Sequence, residues 1–211
     1  MIHNALFNID VAALIDTYGP LFIFIVCGFL FAETGLLVGF FLPGDTVLFP
    51  AGLALATGAI NFPLWLALLL FAGAAWSGDQ TGYWIGRKLG PAVFKRPESK
   101  IFKHENVDRA HAFFDRYGAK AIILAHFVPV MRTFIPVAAG VGEMSYNRYL
   151  RYNLVGVLLW TNGVTLLGAA LGQFAIFRDH VEIVTLVFLV LSTIPLISEW
   201  VKARRQRSKT R

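Results

Sequence analysis

Six apolar stretches run along the chain, at 20–42, 43–60, 62–86, 121–142, 153–177 and 183–201, and a polar interval at 87–120 divides them into two halves. An α-helix needs about 20 mostly apolar residues to cross a hydrocarbon core, and most of these stretches are long enough. The polar interval contains PESKIFKHENVDRAHAFFDRYG. There Ile101, Phe102, Ala110, Phe113 and Phe114 recur at helical spacing, which predicts an amphipathic helix on the membrane surface.

Two of the apolar stretches are interrupted. FLPGDTVLFPAG (41–52) holds Pro43, Gly44, Pro50 and Gly52, and HFVPVMRTFIPVAAG (126–140) holds Pro129, Pro136 and Gly140. Both show Phe-x-Pro, a charged residue soon after, then Pro and a nearby Ala-Gly. These segments predict helical hairpins near 40–58 and 121–142 that enter the bilayer and return on the same side, with their prolines and glycines shaping the turns. Broken backbone at membrane depth is tolerated where protein or a wet cavity surrounds it, so two such hairpins entering from opposite faces and meeting each other satisfy the requirement. Corresponding broken segments in two halves point to an inverted repeat with a binding site between them.

Composition supports a membrane class. Hydrophobic residues make up 56% of the 211, and charged residues only 15%, against about 25% in soluble domains. The first 20 residues carry two acids and no Lys or Arg. They lack the basic region and cleavage site of a secretory signal, so residues 1–19 are expected to stay as a short interfacial segment. The single cysteine, Cys27 in an apolar run, forms no internal disulfide and no cysteine metal site, and reads as a small core residue.

The net charge of +6 is unevenly spread. No Lys or Arg precedes Arg87, nine lie from Arg87 to Lys120, and six lie from Lys202 to Arg211. Basic clusters beside apolar spans mark the cytoplasmic face, and this distribution argues against a nucleic-acid footprint. With the 87–120 loop and the 202–211 tail both cytoplasmic, an even number of crossings must separate them. Three apolar stretches lie between, so one must return on its own side, and 121–142 is the broken one. The same reasoning for the first half gives two spans around the 40–58 hairpin. The expected fold is thus an all-α polytopic membrane protein, with a single membrane domain at 20–201 and both termini cytoplasmic.

The charges inside apolar sequence are the candidate working residues. From Pro20 to Ile60 the formal charges are Glu33 and Asp45 alone, and placing an acid near the bilayer centre costs about 2.5 to 3.5 kcal/mol on insertion scales. Arg132 offers a planar, permanently charged fork that matches phosphate oxygens. His126 could add a second donor or be a satisfied core histidine. Glu33 and Asp45 would be the proton-responsive partners, with Asp79 as a third acid of unknown depth. Two plainer readings stand beside this one: an Asp45–Arg132 ion pair that only pins the hairpins together, and a Glu33 solvated at an interface. Gly78, Gly82, Gly86 and Gly90 repeat every four residues, a smooth stripe suited to close helix packing. His104, Asp108, His111 and Asp115 share part of a helix surface without a recognisable metal motif, and read as a solvated face.

Taken in order, Glu33 and Asp45 with FLPGD…AG, then GD…Y..GR..G (78–90), then HFVPVMRTFIPVAAG followed by Y..YN..G...W (149–160), resemble the bacterial DedA family, whose wider group carries a VTT or SNARE-associated domain. The resemblance covers roughly residues 15–175. It implies two opposed re-entrant hairpins in an all-helical fold in the bacterial cytoplasmic membrane. It also implies proton-motive-force-dependent movement of polyprenyl-phosphate carrier lipid in support of cell envelope synthesis. The family's essential acids fall on Glu33 and Asp45, and one of its two essential arginines falls on Arg132. The other arginine position is His126 here, a residue type that titrates near neutral pH.

The leading expectation is therefore a lipid-phosphate transporter whose partners are membrane lipid and protons, with no cofactor, metal or nucleic acid. Its oligomeric state is open, a homo-oligomer included. The alternatives are a proton-coupled exporter of cations or small solutes and a passive phospholipid scramblase. An enzyme is not expected: SGD at 77–79 lacks the histidine of the membrane phosphatase motif SGH, and no nucleophile, base and phosphate clamp accompany it.

Overall fold

The computed structural model describes residues 11–35, 44–95, 114 and 117–174. The described part is helical: α1 (Val11–Tyr18), α2 (Phe22–Gly35), α3 (Gly44–Thr57), α4 (Leu64–Lys95), α5 (Lys120–Ala125), α6 (Pro129–Val141) and α7 (Tyr146–Gly172). One 3-10 turn, Gly19–Leu21, leads into α2. The expected surface helix within 87–120, the span at 183–201 and the basic tail lie outside the described residues, except that α4 continues eight residues past Arg87.

Local chemistry explains the breaks. Pro63 precedes α4, and its carbonyl accepts the amides of Leu66 and Ala67, which seats the first turn without needing a proline N–H. Gly58 takes φ +78° just after α3, the left-handed conformation that glycine adopts freely at a helix end. Between α5 and α6, Val128 is extended (φ −117°, ψ 109°) and Pro129 opens α6. A residue before proline is driven out of the helical region, and proline suits a first helical position.

The 121–142 segment is thus two helices broken at His126–Val128. Pro136 and Gly140 do not shape that break: they sit inside α6, as Pro50 and Gly52 sit inside α3. This corrects the expectation that these four residues form turns. The glycines serve packing instead. A β-carbon at Gly52 would overlap the carbonyl oxygen of Thr165 in α7, and one at Gly168 would overlap that of Phe49 in α3. The same relation joins α6 to α4, where a β-carbon at Gly140 would overlap the carbonyl oxygen of Tyr83 and one at Gly86 that of Val137. In both pairs the glycine and the carbonyl on each helix are three residues apart. The broken-segment helix of each half therefore lies on the long helix of the other half at backbone contact.

The glycine stripe of α4 works as the sequence suggests. Gly78 meets Thr34 and Phe31 of α2, Gly82 meets Pro136, and Gly86 meets Val137. An apolar core of Phe22, Ile23, Val26 and Leu30 with Val47, Leu48, Phe71, Val157 and Trp160 fills the space among α2, α3, α4 and α7. Cys27 packs against this cluster. On its outer face α7 exposes Leu154, Val155, Leu158, Leu159, Leu166 and Leu167. Its 27 residues are long and apolar enough to cross a membrane.

Candidate functional site

Four ionisable side chains meet in the interior. Arg132 (1% exposed) and Glu33 (5%) form an ion pair through Nη2 and Oε1. His126 (2%) and Asp79 (0%) form another, with Nε2 3.1 Å from Oδ2. Glu33 is therefore buried rather than solvated, and Asp79 is fully buried among the helices. Asp45 lies in the first turn of α3, which Gly44 opens, but its side chain, like that of Pro129, is outside the described ones, as is Pro43.

Each group is placed by a different helix. Thr34, next to Glu33, donates its hydroxyl to Leu30 and to Ala75 of α4, at 2.9 and 3.0 Å, which fixes the end of α2 beside α4. Asp79 stands one turn beyond Ala75. Tyr149 of α7 donates its hydroxyl to the Asp79 backbone carbonyl (3.1 Å) and stacks on Tyr83, with centroids 4.5 Å apart. Arg132 lies in the first turn of α6, directly after the Val128–Pro129 break. Its guanidinium carbon lies 4.0 Å from the centre of the Trp160 ring, a cation–π contact.

The face of α7 organises both pairs. Gly156 packs so closely on His126 that a β-carbon there would overlap the ring, and Trp160 covers Arg132 one turn later. One turn is about 5.4 Å along a helix, so the two pairs are neighbours in the same interior. Asn153, fully buried on this face, has no hydrogen-bond partner for its amide among the described residues. The same holds for Asp79 Oδ1, both polar atoms of Gln80, and the hydroxyls of Thr133 and Thr161. Buried polar groups normally find partners, which sets these atoms apart from the rest of the interior. A hollow of about 310 Å³ beside the α6–α7 turn, lined by Glu143, Ser145 and Arg148 among others, holds none of these residues.

All four ionisable residues are among those the sequence singles out. Of the two acids expected to partner Arg132, Glu33 is paired with it, and the Asp45–Arg132 contact lies outside the described side chains. Of the two readings of His126, second phosphate donor or satisfied core histidine, the described geometry fits the latter, since its ring nitrogens face Asp79 and the Ile122 carbonyl, at 3.1 and 2.8 Å. Trp160, Tyr149 and Asn153 were not proposed as site residues. Their spacing in Y..YN..G...W, at steps of three and four, was the available clue: residues so spaced share a helix face.

Ion pairs buried among apolar helices, one of them long and apolar enough to span a bilayer, fit a membrane protein. Comparison with known proteins agrees. The VTT domain model matches residues 42–170. The chain is 38% identical over 204 residues to Protein DedA of Escherichia coli strain K12, covering 96% of this chain and 92% of that protein. It is 44% identical over 182 residues to an uncharacterised membrane protein of Mycobacterium leprae, covering 86% and 80%. It is 33% identical over 195 residues to the inner membrane protein YghB of Escherichia coli strain K12, covering 92% and 88%. No solved structure matches the chain. The chain belongs to the DedA family and is a membrane protein.

Proposed function

We propose that this protein is a proton-dependent transporter that carries the phosphate headgroup of a polyprenyl-phosphate lipid across the bacterial cytoplasmic membrane. The observation that carries this reading is Arg132, a buried guanidinium placed directly after a helix break and held between Glu33 and Trp160. An arginine at such depth is expensive unless it has work there, and its fork matches phosphate oxygens.

In this scheme the headgroup competes with Glu33 for Arg132. A proton on Glu33 weakens the resident ion pair and lets phosphate take its place, and loss of that proton expels the phosphate. Asp45 is the second acid of the cycle. The lipid tail stays in the bilayer while the headgroup passes through the polar interior of Asn153, Gln80, Thr133 and Thr161. The matching backbone contacts of α3 on α7 and α6 on α4 support two re-entrant hairpins in an inverted repeat, whose exchange of access would present Arg132 to each face in turn.

The test is transport by the purified protein in liposomes containing polyprenyl phosphate, with and without an imposed pH gradient. Gradient-dependent movement of the lipid phosphate is expected. Movement that ignores pH and membrane potential would instead indicate a passive scramblase. Solute-driven proton flux in vesicles free of lipid phosphate would indicate an exporter.

A further inference from the structure

His126 and Asp79 lie beside the Arg132 site proposed above but form a pair of their own, and their geometry constrains where a proton must be. His126 Nδ1 lies 2.8 Å from the Ile122 carbonyl oxygen. A carbonyl oxygen can only accept, so Nδ1 carries a hydrogen. His126 Nε2 lies 3.1 Å from Asp79 Oδ2. A bare Nε2 facing a carboxylate would set lone pair against lone pair in a site shielded from water. The contact therefore needs one proton, either on Nε2 beside a carboxylate or on Oδ2 beside a neutral ring.

We infer that His126 and Asp79 together form a one-proton binding site, and that its occupancy latches the α5–α6 break to α4. His126 caps the end of α5, with its amide bonded to the Ile123 carbonyl, and the break begins there. Asp79 belongs to the long helix α4. With the proton in place, the hydrogen bond holds the break against α4. When the proton leaves to water, no other bond changes, and the bare nitrogen and the carboxylate repel each other.

The surroundings favour a shared proton. Asp79 and His126 are buried, and Gly156 of α7 closes on the ring so that it cannot retreat without a backbone shift. Among the described residues, the other titratable or charged groups facing the pair are Arg132 on α6, with its partner Glu33 on α2, Tyr149 on α7 and Tyr83 on α4. Arg132 and Glu33 balance each other, and Tyr149 spends its hydroxyl hydrogen on the Asp79 backbone. Among the described residues, Asp79 Oδ1 has no hydrogen-bond donor, so nothing else stabilises the carboxylate by that oxygen.

This inference rests on the transporter reading only for what the proton is used for. It is tested on the full chain in lipid nanodiscs by ¹⁵N NMR of its labelled histidines, with His126 assigned from His126→Gln. Over about pH 4 to 10, where most side chains titrate, the wild-type His126 signals are expected to show one single-proton transition, with Nδ1 protonated on both sides of it. In Asp79→Asn the amide N–H donates to Nε2, and the His126 signals are expected to stay at the neutral Nδ1–H form throughout. Wild-type signals that do not move, a bare Nδ1, or an unchanged transition in Asp79→Asn would each overturn the site. Because Asp79→Asn can fail to fold, proton uptake is also compared between wild type and His126→Gln. A difference of about one proton per chain is expected over the same range, and no difference overturns the inference. Lost lipid transport with an intact His126 transition counts against the transporter reading alone. A fixed His126 signal in a transporting protein counts against the latch alone.

Discussion

Arg132 of α6 and Glu33 of α2, 99 residues apart in sequence, join the two halves of the chain through a buried ion pair. Truncating one member of a buried ion pair costs about 3 to 5 kcal/mol in known cases, while removing both is far milder. Arg132→Ala and Glu33→Ala are therefore expected to destabilise strongly, and the double variant by clearly less than their sum. Denaturant unfolding in detergent micelles measures this coupling, and strict additivity would remove the pair from the account.

The two backbone contacts give a second expectation. Gly52→Ala and Gly140→Ala each push a methyl group into a carbonyl oxygen, of Thr165 and Tyr83 respectively. Overpacking usually costs about 1 to 3 kcal/mol, and rigid backbone on the far side places both changes at or above that range. Gly28→Ala, with nothing within 4 Å of the new carbon, is expected to be tolerated. Thermal unfolding of the three variants separates these outcomes.

Trp160 supplies the aromatic face for Arg132. Replacing it with Leu removes the face but keeps apolar bulk, and buried cation–π contacts are worth about 2 kcal/mol. Trp160→Leu is expected to weaken lipid-phosphate transport severalfold, with Trp160→Phe in between. Transport rates in matched liposomes give the comparison, and equal rates for Leu and Phe would show that the ring face is not used.

Much of this was legible in the sequence. Glu33, His126 and Arg132 stood out because charge in an apolar run is costly, and the four-residue glycine spacing of α4 marked close packing before any partner was known. What the chain did not reveal was pairing. The Glu33–Arg132 contact depends on α2 meeting α4 through Thr34 and Gly78, a contact between segments far apart. The link between Asp79 and His126 was hidden for the same reason. Pro50 and Pro136 misled because proline reads as a turn locally, whereas both are accommodated inside helices that pack on glycine.

Polyprenyl-phosphate translocation in liposomes under an imposed pH gradient, compared among wild type, Arg132→Lys and Arg132→Ala, tests the central claim most directly. The lysine keeps the charge but loses the planar fork. Rapid gradient-dependent transport is expected of wild type, a much slower rate of Arg132→Lys and none above protein-free vesicles of Arg132→Ala. Transport by folded Arg132→Ala at the wild-type rate would contradict that claim.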